Sequence, residues 1–262
     1  MCQLLGMNCN VPTDICFSFR GFSARGGGTD VHADGFGIAF FEGRGCRVFL
    51  DPQPARNSRV AELVRRVPIR STNVVAHVRK ATQGAVALEN CHPFQRELWG
   101  RYWAFAHNGN LEGLPPPRGQ FFRPVGATDS EAAFCHLLED LRERFPAGKP
   151  RLPVLHAALA ARTRELAALG PFNYLLSDGE HLFAHASTRL HYIVRQAPFG
   201  AAHLVDEDVT VDFAEHTTPD DRVAVIATAP LTDNERWSEL PVGALAVFGG
   251  GAPIEVGYLP GS

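Results

Sequence analysis

The sequence predicts an α+β protein, because its strand-like and helical segments come in blocks rather than in strict βαβα alternation. Two of those blocks carry the expectation. Residues 172–248 read almost wholly as short apolar strands: FNYLLSD, HLFAHAS, LHYIVRQ, VTVDF, RVAVIAT and ALAVF. The two clearest helices stand side by side in the chain just before them. The 262 residues can bury a large core, and 45% hydrophobic with 20% charged residues is ordinary globular composition, which excludes an intrinsically disordered chain.

Taken in order, residues 2–9 alternate loosely and predict a first strand. Thr13 or Asp14 is placed to cap a helix carrying Ile15, Phe19 and Phe22 on one face, stopped by Gly26-Gly27-Gly28. The stretch GFGIAFFEGRGCRVFLD (35–51) reads as a hairpin around a Gly-containing turn. Residues 57–66 suit a short amphipathic helix ended by Pro68. Strands follow at 71–80 and 101–109, separated by a polar, proline-containing loop. Thr128-Asp129-Ser130-Glu131 has capping-box spacing ahead of Ala133, Phe134, Leu137, Leu138 and Leu141. A further helix is expected near 152–168. LPPPRG (114–119) reads as a surface loop rather than a linker, so one domain over 1–262 is expected.

With 25 basic and 28 acidic residues the net charge is −3, which offers no field for a nucleic-acid backbone. No apolar run reaches the ~18 residues that cross a bilayer. MCQLLGMNCN has neither a basic n-region nor a small-residue cleavage site. The expectation is a cytoplasmic protein with neither membrane nor nucleic-acid partners.

Six cysteines, at 2, 9, 16, 46, 91 and 135, include no C-x-x-C pair and are too dilute for a disulfide scaffold. Most read as buried thiols. Cys2 stands apart because it follows the initiator methionine. If Met1 is removed, one residue carries both a thiol and an α-amine of pKa roughly 7.7–8.0, a nucleophile and a base together. Taken by itself, the position favours an ordinary strand residue near a terminus.

Three other segments add chemistry. Arg79, in His77-Val78-Arg79-Lys80-Ala81-Thr82-Gln83-Gly84, ends an apolar strand and suits a bidentate carboxylate clamp, although an arginine ending a strand is common. His107-Asn108-Gly109 follows an aromatic strand, and an Asn amide with a Gly N–H can hold an oxyanion; an Asn-Gly turn is the plainer alternative. Asp129, at a helix start, can receive an ammonium as well as support the cap. His181 and His185 form H-x-x-x-H on a strand-like segment without the glutamate of a zinc protease, so they read as packing or surface residues. Gly26-Gly27-Gly28 has no following Lys-Ser/Thr, so it is no phosphate loop; it is expected to let backbone approach the reactive region, and Arg25, just ahead of it, is a weaker candidate for steadying the cysteine region. Neither a metal nor a cofactor is expected.

Second-position Cys2, HxRxxTxG at 77–84, Asn90-Cys91-His92-Pro93, His107-Asn108-Gly109 and Thr128-Asp129-Ser130, in that order, resemble the class II (N-terminal nucleophile) glutamine amidotransferases. The opening residues, GGG…DGFGI and the TDSE helix resemble its stand-alone, YafJ-like branch. The motifs cover about the first half of the chain. The resemblance implies the four-layer αββα sandwich of N-terminal nucleophile hydrolases, with the mature chain starting at Cys2. It implies Cys2 as nucleophile, its amine as base, and Asn108 with Gly109 as oxyanion-hole pair. By the same resemblance Arg79 binds the glutamine α-carboxylate, Asp129 its α-amine, and Thr82 and His92 line the pocket. The implied reaction is hydrolysis of a γ-glutamyl amide, with glutamine or a larger γ-glutamyl peptide or conjugate as substrate. The alternative of a different class is a non-catalytic or partner-dependent ammonia-supplying subunit, and the partners expected are an ammonia-accepting synthase or a second copy of the chain. One departure is Lys80, which stands where better-known members carry Trp after the clamp arginine, and this changes the loop that closes over glutamine.

Overall fold

Alternate residues of the central strands face two different cores, and this alternation builds the molecule in layers. The computed structural model describes residues 2–30, 32–81 and 84–256. The chain begins with β1 (Gln3–Thr13), α1 (Cys16–Ala24), β2 (Phe36–Glu42), β3 (Gly45–Asp51), α2 (Arg59–Arg66) and β4 (Ser71–Val78). β5 (Phe94–Leu98) and β6 (Arg101–Gly109) precede the paired helices α3 (Asp129–Arg144) and α4 (Leu152–Ala167). Then come β7 (Phe172–Ser177), β8 (Leu182–His185), β9 (His191–Gln196), β10 (Ala201–His203) and β11 (Thr210–Asp212). The last strands are β12 (Arg222–Ala227), β13 (Ser238–Glu239), β14 (Leu245–Gly249) and β15 (Ala252–Pro253).

Among the described residues these strands form a seven-stranded sheet, β13-β9-β12-β1-β4-β2-β3, and a six-stranded sheet, β15-β14-β8-β7-β6-β5, with β10 and β11 as a separate ribbon. On the outer face of the first sheet, Leu5, Met7 and Cys9 of β1 meet Phe19 and Phe22 of α1 and Ala61 and Val64 of α2. Between the sheets, Leu4, Val75, Ala224 and Ile226 meet Ala106, Leu175, Leu182 and Phe248. On the far face of the second sheet, Trp103, Phe105, Phe172 and Tyr174 pack on Phe134, Leu137 and Leu141 of α3 and on Leu155 and Leu159 of α4. The order is α, β, β, α, as the resemblance implies. Each fully buried large side chain contributes on the order of 1.5–3 kcal/mol, so the three cores are the main source of stability. The sheets approach closely enough that a Cβ on Gly6 would lie 2.9 Å from Leu182 Cδ2 and 3.1 Å from Leu175 Cδ1.

Several local expectations need correction. β1 runs on to Thr13, whose hydroxyl donates to the Val11 carbonyl at 2.9 Å, so Thr13 caps nothing. α1 starts only at Cys16, with Asp14 Oδ1 accepting the Cys16 N–H at 3.1 Å and no side-chain cap from Ile15 itself. The 71–80 strand ends at Val78, which leaves Arg79 and Lys80 beyond the sheet. The loop expected before residue 101 contains β5, an edge strand paired with β6. Short β10, β13 and β15 carry too little apolar pattern to be read locally. Among the described residues no helix is long and apolar enough to cross a membrane.

Candidate active site

β1 and β4 pair with Gln3 opposite Val78 and Leu4 opposite His77, so Cys2 meets the residues that leave β4. The Lys80 backbone N–H donates to Cys2 Sγ at 3.2 Å, and the thiol donates to the Lys80 carbonyl at 3.3 Å. Burial pushes the Cys2 thiol above its ordinary value, although the Lys80 N–H and the Arg79 charge pull it back. Cys2 is therefore a protonated thiol at neutral pH and needs a base before it can attack. Burial likewise lifts Cys9, Cys91 and Cys135 to about 11 and Cys16 and Cys46 to about 12, and all six thiols are free.

The second wall comes from the other sheet. β6 and β7 pair with Asn108 opposite Asn173 and Gly109 opposite Phe172. A Cβ on Gly109 would lie 1.7 Å from the Pro171 carbonyl oxygen, so only glycine lets the two strands close here. Asn173 Nδ2 donates to the Asn108 carbonyl at 3.1 Å and to Thr188 Oγ1 at 2.8 Å. Its Oδ1 accepts the Ser187 and Thr188 N–H groups, each at 3.0 Å. This one buried side chain thus ties the strand end to the 187–189 turn. Asn108 is buried, and its Oδ1 has no hydrogen-bond partner.

Cys2 and Asn108 line one cleft of ≈ 520 Å³, together with Lys80, Asp30, His32 and Arg189. Arg79 and Asp129 do not line it. The buried Arg79 guanidinium donates to the Ala85 carbonyl at 3.0 Å and to the Gly84 carbonyl at 3.1 Å. Asp129, the first residue of α3, accepts the Leu111 N–H on Oδ2 at 2.8 Å. Thr128 caps α3 as expected, its Oγ1 accepting the Glu131 N–H at 3.2 Å. The reciprocal half of the capping box is absent. Glu131 instead accepts the Val125 and Gly126 N–H groups at 3.0 and 2.7 Å and pairs with Arg96 at 2.5 Å.

His92 lies against His77, ring centroids 4.1 Å apart, and against Phe94 at 4.5 Å. All four ring nitrogens of His77 and His92 are buried without a hydrogen-bond partner. Burial and the neighbouring histidines hold His92 well below its ordinary value and pull His77 down to about 3, so both rings are neutral. Thr82 lies outside the described residues.

Sequence reasoning missed part of the cleft. Thr188, Arg189, Thr228 and Ala229 line it from the strand-rich half, where no motif marks them. Arg25, the weaker candidate for steadying the cysteine region, supports that wall. It pairs with Asp206 at 2.7 Å and donates to the carbonyls of Ala229 at 3.1 Å and Pro230 at 2.6 Å, directly behind that wall. Gly26 packs on Ala55, where a Cβ would lie 2.5 Å from the Ala55 Cβ; the triglycine serves the turn after α1, and Asp30 and His32 are what reach the cleft. His185 Nδ1 bonds the Phe172 carbonyl at 2.6 Å, a packing role. Asp178, Glu180 and His181 lie close enough together to hold a cation, but Lys149 Nζ already sits 2.5 Å from Asp178 and 2.8 Å from Glu180.

The same chemistry-bearing frame occurs in known proteins. A family model for class II glutamine amidotransferases matches residues 1–261. YafJ of Escherichia coli strain K12 is 55% identical over 248 residues, 95% of this chain and 97% of the relative. A Haemophilus influenzae relative is 53% identical over 254 residues, 97% of this chain and 86% of its own length. A crystal structure of a Pseudomonas aeruginosa PA01 protein, predicted to be a glutamine amidotransferase, superposes with a TM-score of 0.77 at 48% identity, covering 96% of this chain and 99% of that one. The Bacillus subtilis glutamine phosphoribosylpyrophosphate amidotransferase shares the fold at 16% identity and a TM-score of 0.52, over 86% of this chain and 41% of its own. With a family model over nearly its whole length and two relatives above half identity, the chain belongs to the class II glutamine amidotransferases.

Proposed function

We propose that the protein hydrolyses a γ-glutamyl amide, glutamine being the simplest, with Cys2 as the nucleophile. The observation that carries this reading is the single cleft shared by the Cys2 thiol and the Asn108 side chain, delivered by strands from two different sheets.

Removal of Met1 gives Cys2 a free α-amine. Its pKa of roughly 7.7–8.0 lets it take the proton of a thiol that burial keeps protonated. The thiolate attacks the γ-carbonyl carbon. The Asn108 side-chain amide and the Gly109 N–H stabilise the oxyanion, and one such donor contributes ~10²–10³ in rate. The C–N bond breaks, ammonia or an amine leaves with the proton, and water hydrolyses the thioester to glutamate. Arg79, already held by the 84–85 turn, binds the α-carboxylate, and Asp129 binds the α-ammonium; both act electrostatically on Cys2. Thr82 and His92 complete the glutamyl pocket.

The test is glutamate release from glutamine by protein whose intact mass shows loss of Met1. The expected result is turnover by the processed protein and none by Cys2→Ala. Turnover that survives Cys2→Ala overturns the assignment, and so does full activity in protein that retains Met1.

A further inference from the structure

The cleft beside Cys2 carries two cations that the fold does not use. Lys80 and Arg189 both line it, and among the described residues neither makes an ion pair. The carboxylate on the same wall, Asp30, is engaged elsewhere: His32 Nδ1 lies 3.0 Å from its Oδ2, and Gln3 Nε2 donates to it at 3.4 Å. The backbones that carry both cations are anchored. Lys80 is fixed by its backbone bonds to Cys2 Sγ, and Arg189 follows Thr188, which Asn173 anchors to the Asn108 strand. Neither belongs to the groups proposed to grip the glutamyl half of the substrate, since Arg79 and Asp129 lie outside the walls of this cleft.

We infer that Lys80 and Arg189 select the amine half of the substrate, and that the preferred leaving group is an amine bearing a carboxylate, as in a γ-glutamyl dipeptide. This rests on the γ-glutamyl hydrolysis proposed above. A free ammonia leaving group presents nothing for either cation to bind. An amino-acid leaving group presents a carboxylate that forms charge-assisted hydrogen bonds with an ammonium or a guanidinium. In the reaction the thioester Sγ–C bond forms, the C–N bond breaks, and the amino acid departs with the proton taken from the thiol.

The experiment compares γ-glutamyl-glycine with γ-glutamyl-glycinamide, which differ only in the carboxylate, with glutamine run in parallel. The expected kcat/KM ratio favours the carboxylate by on the order of tenfold, the scale of one charge-assisted hydrogen bond, and shrinks as salt is raised. Arg189→Gln and Lys80→Met each lower the ratio, chiefly through KM, and the double variant brings it near unity. Arg189 is exposed, so its replacement leaves the fold intact. Turnover of all three substrates at a ratio near one in the unmodified protein overturns this inference and leaves the hydrolase reading standing. No turnover of any of them overturns both.

Discussion

Two buried polar side chains at opposite ends of the β6–β7 ladder, Asp178 and Asn108, are treated in opposite ways. At the Arg101 end, Asp178 has a fully buried side chain, yet Lys149 Nζ lies 2.5 Å and Arg101 Nη1 3.2 Å from its Oδ2. Its Oδ1 accepts the Glu180 and His181 N–H groups at 3.1 and 2.9 Å. At the Asn108 end, among the described residues, Asn108 Oδ1 is buried without a partner, and Lys80 and Arg189 line the cleft without an ion pair. A buried polar group that is satisfied fixes structure, whereas one left unsatisfied carries a desolvation cost of about 1–3 kcal/mol. Of the two, only Asn108 carries that cost, and it lies beside Cys2; this marks Asp178 as structural and Asn108 as a member of the proposed reactive site.

The largest expected effects test that separation directly. Asn108→Ala lowers kcat for glutamate release by ~10²–10³, the loss of one oxyanion donor, while thermal unfolding shifts little. At the closed end the signature reverses. Asp178→Asn leaves kcat/KM near its starting value but costs about 3 kcal/mol of stability, because Lys149 and Arg101 lose their buried carboxylate and keep only the exposed Glu180. Urea unfolding together with steady-state assays of both variants gives the comparison. A stability loss in Asn108→Ala, or a catalytic loss in Asp178→Asn, reverses it. The acid dependence adds a second check. Burial raises the Asp178 carboxyl, but Lys149 and the 180–181 amides outweigh it and hold the group below its ordinary value. Its contribution is therefore complete above the unfolded carboxylate value and is lost as pH falls through the folded one. The stability deficit of Asp178→Asn shrinks correspondingly in acid.

The adjoining His77 and His92 rings give the next effect in size. His77 titrates at about 3 in the fold and at roughly 6.5 unfolded, so the unfolded chain binds the extra proton between those values. Stability from the neutral ring is complete above the unfolded value and falls as pH drops below it. Between pH 7 and pH 5 the loss from His77 is about 2 kcal/mol. Measured as the pH dependence of urea midpoints, this slope is present in the parent protein and reduced in His77→Gln. An equal slope in the two proteins removes His77 as its source.

Much of the reactive end is legible locally. Cys2 announces itself by position, and His107-Asn108-Gly109 and Thr128-Asp129 by the turn and cap chemistry of their strand and helix ends. The layer order follows from residue alternation once strands are recognised. The other cleft wall has no such signal, because it is assembled by sheet register over long chain separations. The Thr228 hydroxyl meets the Leu4 N–H at 2.9 Å across 224 residues, and Asn173 reaches Asn108 across 65. Arg25 likewise finds Asp206 across 181 residues, so its role behind the wall depends on the finished fold. The capping box illustrates the converse. Its spacing is correct, yet the Arg96 charge and two loop amides hold Glu131 away from the reciprocal bond.

The smallest effect comes from a cap away from both ends of the ladder, and it calibrates the others. Ser58 precedes α2, and its Oγ accepts the Val60 and Ala61 N–H groups at 3.1 and 3.2 Å. The same hydroxyl donates to Asp51 at the end of β3, tying the helix start to the edge of the seven-stranded sheet. Ser58→Ala removes the cap and costs about 1 kcal/mol, the ordinary value for such a deletion. The expected result is a lowered urea midpoint with an unchanged m-value and an unchanged kcat/KM. A fall in kcat/KM would mean that even a peripheral loss of stability reaches the Cys2 cleft, and the catalytic deficit of Asn108→Ala would then need correction for it.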